Sequence, residues 1–212
     1  MREEAPDGRA VDPSVGSGAV RVAVRRRVAD LTDAERELLL GRAPDDLSGV
    51  QAAVAALIAD VRARGDAAML EMAERFDGVT LQALEVPREA WSAAREELAP
   101  ELLSALERAA HNIRRFHEAQ IPDEIELEVE PGVRLGRRFV ALAAVGVYAP
   151  GGRAAYPSSV LMGVVPAVAA GVAEIVVCSP PGPRGLPPAE VLAAAEIAGA
   201  TRLFAVGGAG AV

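Results

Sequence analysis

Lysine is absent from this 212-residue chain. Its absence excludes the phosphate-binding pattern G-x-x-x-x-G-K-[ST], which needs that cation at the phosphates. Cysteine occurs once, at Cys178, so no intrachain disulfide can form. That residue closes the apolar run 175–178, where a small core residue is the default reading over a nucleophile. No apolar stretch reaches the roughly eighteen residues of a membrane span without a glycine or proline interrupting it. Residues 1–20 also lack the hydrophobic middle of a secretion signal, so the simplest expectation is a cytoplasmic protein. Basic residues are the minority, 22 against 30 acidic, and the net charge of -8 repels phosphate backbones and anionic membranes. Neither nucleic acid nor a membrane is an expected partner. Arg25, Arg26 and Arg27 form the one basic run, too short for a binding stripe. The dinucleotide fingerprint G-x-G-x-x-G, with an acidic residue at the tip of the following strand, is missing too. Ser179, Pro180 and Pro181 hold that tip.

The residues present include 51% hydrophobic ones, enough to bury a core in one or two domains. Residues 1–20 have no period that could bury a face and are expected to be a disordered tail. Thr32 and Glu35 match a capping box and predict a short helix ending at Gly41. Val50, Val54, Leu57, Ile58 and Val61 fall on one helical face, stopped by Gly65. A third helix is predicted over 66–76, closed by Asp77 and Gly78. Another follows Pro87 and holds Trp91. The longest, 100–120, carries Leu102, Leu106, Ala109, Ile113 and Phe116 as a packing seam. His111 and His117 lie six residues apart there, well over half a circle round the helix, so they cannot share a metal on it. They read as surface residues.

Ile125, Leu127 and Val129 alternate with Glu126, Glu128 and Glu130, the period of a strand with one wet face. The three glutamates read as a solvated face before they read as a carboxylate pair. The following turn is expected to be a three-residue loop, 131–133, which would set Glu130 opposite Arg134 and Glu126 opposite Arg138. A two-residue loop would place Glu130 opposite Val133 and mismatch the faces. From residue 139 the rhythm becomes strand, helix, strand, helix, strand over 140–148, 158–170, 173–178, 188–198 and 202–206. That alternation predicts a parallel sheet with right-handed crossovers. The apolar run 141–148 suits a strand covered on both faces, and Ser158 and Ser159 offer hydroxyls to cap the next helix. Pro166 is expected to kink or split that helix. A three-stranded sheet would leave its edges open and one face thinly covered. The fold class is thus α/β. A helical region with a β-hairpin, 21–138, leads into an incomplete Rossmann-like parallel sheet, 139–212. Pro150, Gly151 and Gly152 bend the chain beyond the first parallel strand, at the carboxyl edge where open α/β sheets bind ligands.

The segment 145–182, VGVYAPGGRAAYPSSVLMGVVPAVAAGVAEIVVCSPPG, with VLAAAEIAGA and AVGGAGA after it, closely resembles histidinol dehydrogenase. RARGDAAMLEMAERFDGV and IRRFHEAQ resemble the same family, so the likeness spans roughly residues 28–212, in order. The resemblance implies an aldehyde-dehydrogenase-like architecture. It also implies a homodimeric enzyme that uses NAD and zinc to oxidise L-histidinol, through the aldehyde, to L-histidine. It assigns Tyr148 to an NAD contact, beside the plain alternative of a packing tyrosine. It sets Gly210 where the family carries a second NAD contact, a glutamine. The family's zinc ligands, its Glu-His acid-base pair and most substrate contacts match no position here and are expected beyond Val212. The chain by itself is therefore expected to be inert. Two other readings remain: a dehydrogenase of another primary alcohol, and a non-catalytic fragment that persists as a binding or subunit-interaction module.

Overall fold

A computed structural model describes residues 27–40, 48–151 and 154–211, without the side chains of Leu38 and Ser48. The expected tail over 1–20, the end of the first helix at Gly41 and the bend residue Gly152 lie outside the described residues. The chain forms two compact units, Met1–Leu47 and Ser48–Val212. In the first, a single 3-10 turn, Val28–Asp30, precedes helix α1, Asp33–Leu40. Thr32 and Glu35 form the capping box reciprocally. The Thr32 amide donates to Glu35 Oε2 at 2.9 Å, and the Glu35 amide donates to Thr32 Oγ1 at 3.3 Å.

The second unit begins with α2, Ser48–Arg64, and α3, Asp66–Met72, which continues as a π-turn over Ala73–Asp77. The apolar stripe of α2 is real but uncovered at Val50, Val54 and Ile58, which are exposed. Next come α4, Arg88–Glu97, and α5, Pro100–Glu118. Trp91 on α4 is almost wholly buried, and its indole Nε1 donates to the Val86 carbonyl at 3.1 Å, satisfying the polar tip of a core aromatic. The α5 seam packs at its middle, with Leu106 and Ala110 buried and Ala109 and Ile113 against the core. Its ends project, with Phe116 63% exposed.

A hairpin follows, β1, Ile125–Glu130, and β2, Val133–Arg137. It corrects the expected loop, because Glu130 pairs with Val133 across a two-residue turn. Gly132 has φ +80°, the positive value that the second central position of a type II turn requires after proline. The register then shifts between Glu128 and Glu130, leaving Val129 as an extra bulged residue, so that Glu128 meets Arg134 and Leu127 meets Leu135. The bulge restores the match of faces that the two-residue turn alone would break. Glu126 lies opposite Gly136, not Arg138, and reaches diagonally to pair with Arg134. Both faces of the hairpin are exposed, so Leu127 and Leu135, each 59% exposed, lack the cover that the alternation predicts.

The last segment folds as β3, Ala144–Tyr148; α6, Pro157–Ala169; β4, Glu174–Ser179; α7, Ala189–Ala198; and β5, Arg202–Ala205. The sheet is parallel in the order β3-β4-β5. Strand order progressing one way with right-handed crossovers puts both crossover helices on the same face. Ile175, Val177, Leu203 and Ala205 are buried on that face with Val160, Val164 and Val191 from the helices. The reading of β3 as doubly covered is corrected. It is an edge strand beginning at Ala144, and Ala144, Gly146 and Tyr148 are exposed.

Three further expectations change. The edge of β5 is not open, because residues 84–86 run antiparallel to it: the Val86 amide donates to the Leu203 carbonyl at 2.9 Å and the Ala205 amide to the Leu84 carbonyl at 2.8 Å. Helix α6 starts at Pro157, whose fixed φ suits the first helical position, and neither serine caps it. The same helix runs unbroken through Pro166. Proline cannot donate to the carbonyl four residues earlier, that of Met162, a residue 59% exposed.

Candidate functional site

Parallel pairing brings the carboxyl ends of β3, β4 and β5 to one edge, and the three loops that leave them touch. Beyond β3 the ladder persists one residue, with the Ala149 amide donating to the Cys178 carbonyl at 2.9 Å. Gly151 and Gly207 then press on Pro180 from two sides. A Cβ on Gly151 would lie 3.1 Å from the proline ring, and one on Gly207 would lie 2.9 Å from it. A side chain at Gly207 would force the loops apart, and one at Gly151 would need Pro180 to give by a few tenths of an ångström.

Tyr148 is 39% exposed and reaches across to the loop after β5, where its hydroxyl accepts a hydrogen bond from the Gly208 amide at 3.3 Å. Gly208 has φ +57° and nothing within 4 Å of its notional Cβ, so the turn Gly208–Gly210 offers bare backbone to the edge. Gly210 is different. A Cβ there would stand 3.3 Å from Met69 Sδ and 3.5 Å from Val206 Cγ1, so a side chain at 210 would have to displace the flexible Met69.

Two cavities open on this edge. One, of about 250 Å³, lies between the 206–210 loop and Met69, Met72 and Phe76. The other, of about 670 Å³, is bounded by Gly151, residues 180–184 and the same Phe76. Asp77 lines both. Asp77 is itself exposed, and partial desolvation by the cavity walls raises the pKa of its carboxyl above the usual aspartate range. The sequence marked Asp77 only as half of a turn pair with Gly78. No local pattern signals that this turn folds back on a loop some 130 residues later, so this lining residue was not legible.

Ser179 Oγ is fully buried with no hydrogen-bond partner among the described residues. It ends β4 on the helix side, continuing the buried row of Ile175 and Val177. Cys178 faces the opposite side, half-buried, and burial raises its thiol pKa, away from a thiolate nucleophile. His111 is exposed and His117 packs edge-on against Phe116, with ring centroids 5.6 Å apart. The two are not brought together. Glu126, Glu128 and Glu130 are solvent-exposed, as the alternation implied.

A dinucleotide fits what the edge presents: a glycine-bent turn of bare backbone, a ring at a strand tip and adjoining cavities. Zinc does not fit, since among the described residues no group of three His, Cys, Asp or Glu could hold a metal ion. Nor, among them, is any helix long and apolar enough to cross a membrane.

The family model for histidinol dehydrogenase matches residues 40–212. Histidinol dehydrogenase of Methanosarcina barkeri is 45% identical over 184 residues, which cover 86% of this chain and 42% of that protein. The Geobacillus kaustophilus protein of the same name is 49% identical over 160 residues, covering 76% and 38%. A crystal structure of histidinol dehydrogenase from Elizabethkingia anophelis superposes with a TM-score of 0.71 at 30% identity, covering 79% of this chain and 38% of that one. The chain thus spans about two fifths of the length of the curated relatives it matches.

Proposed function

The chain belongs to the histidinol dehydrogenase family, and from that membership we propose that it forms the NAD-facing part of an enzyme oxidising L-histidinol to L-histidine through the aldehyde. The observation that carries this reading is the joint of Tyr148 with Gly208, a strand-tip ring held on a bare glycine turn at the carboxyl edge. NAD, when bound, supplies the hydride acceptor. Tyr148 gives it an amphipathic surface, and its hydroxyl proton stays free to donate because the oxygen accepts from the Gly208 amide. The packed glycines on Pro180 keep the floor of the cleft fixed. Residues 139–212 act as the dinucleotide half-domain, and 21–138 as the helical and hairpin region.

Zinc, the acid-base pair and the contacts that select the alcohol are assigned to polypeptide these 212 residues do not supply. The complete protein is a cytoplasmic homodimer whose partners are small molecules, with neither nucleic acid nor membrane among them. The 212-residue chain alone is inert. A non-catalytic binding module is the second reading, favoured by one observation: at Gly210 the expected glutamine is absent and Met69 fills the space beside it.

Measuring NADH formation from L-histidinol, NAD and zinc separates these readings. The 212-residue chain should give none, and a chain extended to the length of its relatives should turn over. Turnover by the short form would overturn the claim of inertness. Silence from the extended form would favour the binding module, and turnover of another primary alcohol in preference to histidinol would reassign the substrate.

A further inference from the structure

We propose that Asp77 is the carboxylate that receives the ribose hydroxyls of the adenosine half of the dinucleotide, and that it selects NAD over NADP; this rests on the NAD reading above. In open dinucleotide-binding sheets an acidic residue at the tip of the second strand accepts hydrogen bonds from the ribose. Here that tip is Ser179, Pro180 and Pro181, with no acid. The structure supplies one from elsewhere in the chain. Asp77, at the end of the π-turn that continues α3, lines the wider cavity together with Pro180 and Pro181, and the narrower one together with the 207–210 turn. It stands where the two cavities share a wall, next to the strand tip that lacks a carboxylate.

The chemistry suits that place. Asp77 is exposed to the cavities, and among the described residues its carboxylate has no hydrogen bond or ion pair, so its oxygens are open to two hydroxyl donors, while partial desolvation by the cavity walls raises its pKa. A ribose diol presents two such donors. A 2′-phosphate presents none when ionised and brings like charge against the carboxylate. Arg184 is the basic side chain lining the wider cavity. It attracts the phosphates of either dinucleotide and does not by itself tell them apart.

Calorimetric titration of the 212-residue chain with NAD and with NADP tests the assignment, with activity playing no part. The unmodified chain should bind NAD at least about tenfold more tightly than NADP. Asp77→Asn should bring the two affinities within about threefold, and Asp77→Glu should keep the preference for NAD. Thermal melts of both variants establish that they are folded. Binding of NAD with a ratio unchanged by Asp77→Asn would overturn the role of Asp77 and leave the NAD reading standing. Failure of the unmodified chain to bind either dinucleotide would overturn both.

Discussion

At the scale of single residues, close approach decides more than polarity does. Gly163 sits in α6 directly over β3, where a Cβ would come 2.6 Å from Val147 Cγ1 and 3.0 Å from Val147 Cγ2. Val147 is branched at Cβ and packed against the core, so it is stiff and gives way poorly. Gly163→Ala should therefore cost about 1–2 kcal/mol, overpacking outweighing the gain in helix propensity. Denaturant unfolding checks this, and pairing the change with Val147→Ala should recover most of the loss, since residues in contact are not additive. Nothing in the string VLMGVVP marks Gly163 as a contact with the strand. The place of Tyr148 at the end of β3 was legible from the apolar run before it, and the residue is 39% exposed there. The place of Asp77 was not legible, because its neighbours in space come from loops more than seventy residues away.

Elements were legible wherever a local rule fixed them. The capping box at Thr32 and Glu35 forms as the sequence implies, and Gly171 and Gly199, both with positive φ, end α6 and α7. Alternation gave both hairpin strands. The turn between them was misread because a three-residue loop and a two-residue loop with a bulge match the faces equally well. The choice between them lies in strand twist, which the residue pattern does not carry. Residues 84–86 went unread as a strand-like neighbour of β5, because three residues are too few for a period.

Arg202 of β5 fixes that short neighbour by a bidentate pair to Glu85, with Nε to Oε1 at 2.9 Å and a terminal nitrogen to Oε2 at 2.8 Å. The guanidinium holds the Glu85 carboxyl below the usual glutamate range. A depressed folded pKa adds stability above the unfolded value and loses it as the pH falls through the folded one. Glu85→Gln should thus melt below the unmodified chain at pH 7. The gap should close as the pH drops below about 4, where the unfolded carboxyl takes its proton. Because the pair is exposed, the effect is small and should shrink further in high salt.

At the scale of the molecule, the helices cover one face of the three-stranded sheet, and much apolar surface elsewhere stays open. Leu127 and Leu135 on the hairpin, Val140 and Leu142 before β3, and Val50, Val54 and Ile58 on α2 are all exposed. Composition promised a core, and the core is there, in the layer between α4–α7 and the sheet. Composition could not say which apolar stripes that core would use. The chain spans about two fifths of the length of the curated relatives it matches. The carboxyl edge of its sheet carries glycine turns and Tyr148, and Asp77 lines the two cavities that open there. Among the described residues there is no group that could hold a metal.

The central claim, that the carboxyl edge of this sheet cradles NAD, is tested most directly by adding NAD to the isotopically labelled chain and following amide resonances. The largest shifts should fall on Gly207, Gly208 and Gly151, around the Tyr148 hydroxyl, and should weaken in Tyr148→Ala. Shifts confined to the hairpin or to α2, or none at all with NAD in excess, would contradict it.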